Sequence, residues 1–550
     1  MKIARAVVPG LVMLAAGGGL TAQVNGPDDL RTLVRSSISA SADGSNGKCG
    51  TAFRMAWRAE HLSGRSGADA VWDDRPVRQR SRLSPSGRFR VHYDTTGIHE
   101  PALLNGLGIR IAGTANAYAD STVRIFDRVW EQIVSVLGYE SPPADTGGGD
   151  AAYDVYLSDL PPEWFGQTVF EEPIPGLTGP TRWRTYMEID NDFAGLRTPG
   201  IAGLRITAAH EYFHAVQVGA YGVWDDDDFY FYELTSVWME TALESDIEDY
   251  LFDLPKYFSD FSGLSLAVFN ASYRGYERSV FALFLEERFG RDALLDVWRS
   301  LRSRRVLPAL DHALETRGTG LRSAFREFAL WNHRTHDRAA GAVTYRQAGR
   351  FPRMSPSAAM SWTPPAVRLG ATAGPMSHAT LDLGLTSDTL STIVVNTDFI
   401  AASRGSLDPQ AISLSVSNTA PDGGGQQVGG LWFSISVPFA DEWSHEVVSA
   451  VGRAAVPLAN DRPWPSPWNL SDDADLVIPV GSTDAPETVA FVSAGQTVVP
   501  VERWNLETQR ATRVARIPVG PMRDRLSSGV YVVLLRRGTA QQLWKIAVVR

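Results

Sequence analysis

The chain has 550 residues, of which 44% are hydrophobic and 21% charged, with 49 Gly, 32 Pro and a single Cys. At roughly 100 to 200 residues per domain this is about three domains of ordinary globular composition, which excludes a wholly disordered chain or a coiled coil. A formal net charge of -10 lacks the basic face that phosphate neutralisation needs, so no nucleic-acid partner is expected, and one Cys permits neither an intramolecular disulfide nor a Cys-based zinc ribbon. Any metal site must be built from His and carboxylates.

Lys2 and Arg5 precede an uncharged stretch, Ala6 to Leu20, followed by Thr21 and Ala22, so residues 1–22 read as a secretory signal peptide. No later stretch is long and apolar enough to span a bilayer. Residues 23–85 are polar and read as a pro-region or linker with some helix near Thr51 to His61. Strands are predicted at Arg88 to Tyr93, Asp154 to Leu157 and, after a Gly/Pro-rich loop, Thr185 to Ile189. Helices are predicted at Ala115 to Leu137, Ala202 to Tyr221, Thr235 to Ser245, Arg278 to Phe289, Asp292 to Arg302 and Ser323 to Asn332. Strands followed by a run of helices give an α+β domain over residues 86–340. Residues 345–458 carry short β-branched segments, such as Ala379 to Leu383 and Ala411 to Val416, and read as an all-β sandwich. A joint rich in Pro and Trp, Arg462 to Trp468, opens a second β domain over residues 460–550.

The segment that carries chemistry is His210-Glu211-Tyr212-Phe213-His214, an H-E-x-x-H inside an apolar helical pattern. Residues i and i+4 share a helix face, so both imidazoles can reach one Zn²⁺, with Glu211 beside them as general base for the attacking water. A catalytic zinc also needs a third protein ligand and an open fourth position. Eighteen residues separate His214 from Glu233, in Phe229-Tyr230-Phe231-Tyr232-Glu233-Leu234, and Glu240 follows two helical turns later.

This motif and spacing resemble those of gluzincin metallopeptidases of the aminopeptidase N type, and the resemblance implies a zincin-like fold with a mixed sheet and a helical part. It also implies Glu233 as third zinc ligand and Glu240 as the carboxylate that orients a liganding His. Tyr232 and Leu234 depart from the family's Asn and Gly. Tyr276-Glu277-Arg278-Ser279 resembles the family's Tyr-Glu-Lys-Gly, which implies Tyr276 as donor to the oxyanion, with Tyr273 in reserve. The family's amine-gripping Gly-x-Met-Glu-Asn strand has its nearest counterpart in Thr185-Tyr186-Met187-Glu188-Ile189-Asp190. Its Gly and Asn are missing, which favours an endopeptidase, and an edge strand there is expected to pair with an extended peptide. Phe89 to Asp94, Asp154 to Leu157, Asp190 to Asp192 and Ala209 to His214 together also look like a group of uncharacterised secreted bacterial gluzincin-like proteins.

Three features remain. Asp225 to Asp228 is a candidate Ca²⁺ loop, but it lacks calcium-loop spacing and reads first as a solvated charge run. Cys49, in Gly47-Lys48-Cys49-Gly50, is a candidate latency ligand: a free thiol can take the fourth zinc position, as in the cysteine switch of matrix metalloproteases. The terminal Ser528-Gly529-Val530-Tyr531 and Lys545 to Arg550 resemble C-terminal sorting domains of type IX secretion, implying that machinery as a partner and a secreted or cell-surface location. The sequence therefore points to a secreted zinc peptidase acting on proteins or peptides. The alternative is a non-catalytic adhesin or scaffold with a residual zinc site.

Overall fold

Alternating apolar positions make β2 (Phe89–Tyr93) and β3 (Tyr153–Ser158) strands, and both lie in the middle of a five-stranded sheet. A computed structural model of the chain describes residues 48–51, 75–144, 149–161, 163–176, 178–269, 274–385, 388–406, 408–419, 426–428, 431–437, 443–451, 468–471, 475–479, 488–493, 498–509, 512–537 and 540–550. The leader read at 1–22, most of the stretch read as pro-region, Tyr273 and the Pro/Trp joint up to Pro467 fall outside these residues.

The sheet runs β1 (Arg80–Leu83), β2, β3, β5 (Arg182–Asp190), β4 (Gly166–Ile174). β2, β3 and β5 pair in parallel, while β1 and β4 lie antiparallel at the two edges. Thr185 to Asp190 is thus an inner strand. The edge expected there is supplied by β4, in the stretch read as a Gly/Pro-rich loop. Gln167 to Phe170 pairs regularly with β5, and the register shifts between Phe170 and Pro173, where an edge position tolerates a proline without an N–H.

α1 (Ala115–Trp130) and α2 (Gly200–Val216) pack on this sheet, and α3 (Phe229–Leu243) packs on α2. α2 is apolar almost all round and nearly every residue from Gly203 to Val216 is buried, as befits a helix enclosed between layers. Its polar residues are therefore buried by position. α4 (Leu254–Ser259), α5 (Ser279–Phe289), α6 (Asp292–Ser300), α7 (Val306–Glu315) and α8 (Leu321–His333) complete the helical part. Trp298 locks α6 against the layer above, with the rings of Phe213, Tyr221, Phe231 and Tyr232 around it at 5.0 to 5.8 Å between centroids.

Beyond residue 357 the chain is mostly strand. Two four-stranded sheets, β11-β12-β10-β7 and β13-β9-β8-β6, share one apolar core that includes Leu369, Leu381, Val394, Leu414 and Phe433. Here β6 is Ala358–Ser361, β7 Ala366–Ala373, β8 Ser377–Gly384 and β9 Asp388–Asn396; β10 is Gln410–Ser417, β11 Gln426–Val428, β12 Leu431–Ser436 and β13 Trp443–Val451. Met376, Ile393, Val395 and Ala402 face the helical part and belong to its core, and the Leu266 N–H donates to the Met376 carbonyl at 2.8 Å. A last group of strands, between Trp468 and Val549, forms sheets of five and three strands around Trp468, Phe491, Ile517 and Val533. The molecule is thus a mixture of helices and several sheets, and no helix of the described residues is long and apolar enough to cross a membrane.

Candidate metal centre

His210 and His214, one turn apart on α2, turn their rings toward Glu233 on α3. The two Nε2 atoms are 3.1 Å apart, and Glu233 Oε2 lies 3.2 Å from His210 Nε2 and 3.3 Å from His214 Nε2. Two ligands at about 2.0 to 2.1 Å from one tetrahedral ion stand about 3.3 Å apart, so the three atoms have the separation a shared cation requires. All three side chains are buried, and Glu233 Oε1 has no hydrogen-bond partner. A buried carboxylate oxygen without a hydrogen-bond partner is costly, and such an oxygen fits a cation held between these side chains.

The far side of each ring is held. His210 Nδ1 lies 2.6 Å from Glu240 Oε1, and His214 Nδ1 lies 2.7 Å from Gln217 Oε1. Gln217 is turned that way because its amide donates to the Tyr232 carbonyl at 3.0 Å and to Thr235 Oγ1 and Ser236 Oγ at 3.1 Å. With Nδ1 donating, both Nε2 lone pairs face the cluster, as metal ligation requires. Burial opposes charge on His210, yet hydrogen bonds to Glu233 and Glu240 raise it to about 9. Burial likewise works against the Glu233 carboxylate, yet His214 and His210 bring it down to about 2. In effect the carboxylates keep a proton on the imidazole where a cation would otherwise sit.

Glu211 is also buried, and its Oε2 accepts from Thr168 Oγ1 at 2.8 Å. It is brought near the edge strand by Gly166, where a Cβ would come within 2.7 Å of Thr207 Cγ2 and 3.0 Å of Glu211 Cγ. Tyr276 stands at the start of α5 with its ring 6.1 Å from that of His210 and its hydroxyl kept protonated by burial.

The sulfur of Cys49 joins the group: Cys49, His210, His214 and Glu233 place ligand atoms within 4.8 Å of one another, a group that could hold a metal ion. Burial, reinforced by Glu211 and Glu233, pushes the thiol well up, so it stays protonated while no cation is present. Lys48, Thr51, Thr168, Gln217 and Asp249 were not singled out in the sequence. Only Gln217 had a local signal, three residues after His214 on the same helix face.

The other sequence features sit elsewhere. Asp228 carries Arg305 at 3.0 Å, and Asp225 faces the same guanidinium, so these members of the acidic run are spent on an ion pair. Glu188 accepts from Gln167 and Ser158 and does not join the metal group. Searches against protein-family models, curated proteins and solved structures each return no match, so the site stands on its own geometry.

Proposed function

We propose that this chain is a secreted zinc peptidase: a zincin-like catalytic domain, built from the five-stranded sheet and the helices, followed by two sandwich-like β domains. The observation that carries this reading is the convergence of two Nε2 atoms and a Glu233 oxygen within 3.3 Å, on a helix whose neighbouring residue is a buried carboxylate. Two imidazoles and a carboxylate suit zinc, which when bound acts as a Lewis acid on the scissile carbonyl and lowers the pKa of water.

The chain's own residues supply the rest. Glu211, held by Thr168, takes the proton of the attacking water and passes it to the leaving amine. Tyr276, neutral and buried, donates its hydroxyl hydrogen to the oxygen on which negative charge develops. The outer edge of β4 beside Glu211 offers backbone donors and acceptors to an extended peptide, and the chain lacks the Gly and Asn of an aminopeptidase's amine-gripping strand. An endopeptidase fits best. Export through the N-terminal leader and a type IX sorting role for the last β domain belong to the same reading.

The test is zinc content and hydrolysis of a mixed fluorogenic peptide set by the wild-type chain, its Cys49→Ala variant and the Glu211→Gln form of each. One zinc per chain throughout, with cleavage lost in the Glu211→Gln forms, supports the proposal. Stoichiometric zinc with no cleavage by any of them favours the adhesin or scaffold.

A further inference from the structure

Residues 48–51 lie far from the catalytic elements in sequence and yet fill the cleft between them. Cys49 pairs with Gly166 in parallel on the outer edge of β4: the Phe165 N–H donates to the Lys48 carbonyl at 2.7 Å, and the Gly50 N–H donates to the Gly166 carbonyl at 3.0 Å. This is the edge on which a peptide substrate would be laid.

Every group assigned to catalysis is engaged by this segment. Thr51 Oγ1 donates to Glu211 Oε2 at 3.2 Å and accepts from the Thr168 N–H at 2.8 Å. The Tyr276 hydroxyl accepts from the Cys49 N–H at 3.2 Å and donates to the Cys49 carbonyl at 3.3 Å. The Cys49 sulfur stands with His210, His214 and Glu233 in the metal group, where Glu233 Oε1 has no hydrogen-bond partner. The next side chain back is an anchor: Lys48 Nζ lies 2.6 Å from Glu240 and 2.9 Å from Asp249, both buried, and Asp249 is backed by Arg197. Removing the ammonium would leave these buried carboxylates short of a cation, which anchors Lys48 in place. The fit is close on the other flank too. A Cβ at Gly50 would meet the Trp164 ring at 2.4 Å and Gln167 Oε1 at 2.9 Å. What remains open beside the segment is a cavity of only about 10 Å³, lined by Lys48, Cys49, Phe165, Thr207, His210 and Glu211 among others.

Resting on the peptidase reading, we propose that residues 48–51 are an intramolecular occupant of the catalytic cleft, with Cys49 as the fourth metal ligand, and that the full-length chain is latent until this segment is withdrawn. On ligation the S–H bond breaks, the sulfur lone pair goes to the cation and the proton leaves to solvent. Withdrawal reverses this, returning the proton to sulfur and the open position to water. Tethering makes the block effective, because a linked ligand acts at millimolar effective concentration.

The experiment uses the full-length chain with two variants that leave every catalytic residue in place. Cys49→Ala removes the sulfur, and Gly50→Val drives the segment off β4 while keeping it. With zinc bound, both are expected to hydrolyse peptides about a hundredfold faster than wild type. With cobalt in place of zinc, wild type is expected to show thiolate-to-cobalt charge-transfer absorption in the near ultraviolet that both variants lose. Cys49 should resist iodoacetamide in metal-loaded wild type and react in Gly50→Val. Wild type cleaving peptides as fast as both variants, or a cobalt spectrum without the thiolate band, overturns the proposal. A thiolate band lost in both variants, with no hydrolysis by any chain, keeps the segment as occupant of the metal site and removes the peptidase reading instead.

Discussion

Among the described residues two places bury histidines, and the same burial has opposite results. His210 and His214 meet carboxylates on one side of each ring or across the cluster, each has a fixed acceptor for Nδ1, and His210 is raised to about 9. His378, on β8 where the strand-rich part meets the helices, sits against the rings of Phe261 and Phe325 with neither ring nitrogen hydrogen-bonded. Burial alone brings it down to about 3, so it is a neutral core residue. His333 nearby is also driven well below its ordinary value, first by burial and then by Arg338, Arg334 and Arg353, and its Nδ1 accepts from Arg338. Burial thus does not make a histidine a ligand. Convergent ring nitrogens, a carboxylate across the gap and a held Nδ1 are what a metal ion asks for, and the first place has them.

Substitutions in the first region should change chemistry, and those in the second only stability. The largest effect expected is from Glu211→Gln, which should lower peptide turnover in the Cys49→Ala background by about 10² to 10⁴-fold with zinc content unchanged, as measured by steady-state kinetics beside metal analysis. Tyr276→Phe should cost about 10² to 10³-fold in kcat, again with zinc retained; unaltered kcat would remove its hydroxyl from the mechanism. Gln217→Ala and Glu240→Ala each release the Nδ1 of one histidine, and competition with a chelator should show zinc affinity lower by about 10 to 100-fold. If neither changes the affinity, orientation of the rings is not what distinguishes the two regions.

The smallest effect belongs to His378 and depends on pH. Its folded pKa of about 3 lies below the ordinary 6.5, so as pH falls through 6.5 the unfolded chain binds a proton that the native one refuses. Stability is therefore lost on acidification, by about 1.4 kcal/mol per pH unit between these values, or about 2 kcal/mol at pH 5 from this group. His378→Leu should flatten that part of the acid-denaturation curve, leave zinc binding alone and show up in denaturant midpoints measured at pH 7.5 and pH 5.

How much of this was legible in the sequence follows from the range of the contacts. His210, Glu211 and His214 are local, on one helix, and their pattern shows without a structure. Glu233 and Glu240 needed a known spacing to be read. β4 was hidden because Gly166 and the stretch from Glu171 to Gly176 look like a loop, and its pairing with β5 is non-local. α7 was missed because Pro308 interrupts its pattern, although a proline in the first turn costs little. Cys49 stood out only as the sole cysteine. Its partners in the cleft, and the acidic anchor that Lys48 finds 192 and 201 residues away, depend on the tertiary fold and leave no periodic trace.

The most direct test is X-ray absorption at the zinc edge on the purified full-length chain, with metal content measured on the same sample and on His214→Ala. The expected result is one zinc per wild-type chain with two imidazole nitrogens, one carboxylate oxygen and one sulfur, and loss of stoichiometric zinc in the variant. A wild-type chain that takes up no zinc, or a variant that keeps it in the same surroundings, would contradict the assignment of His210, His214 and Glu233 as a metal centre.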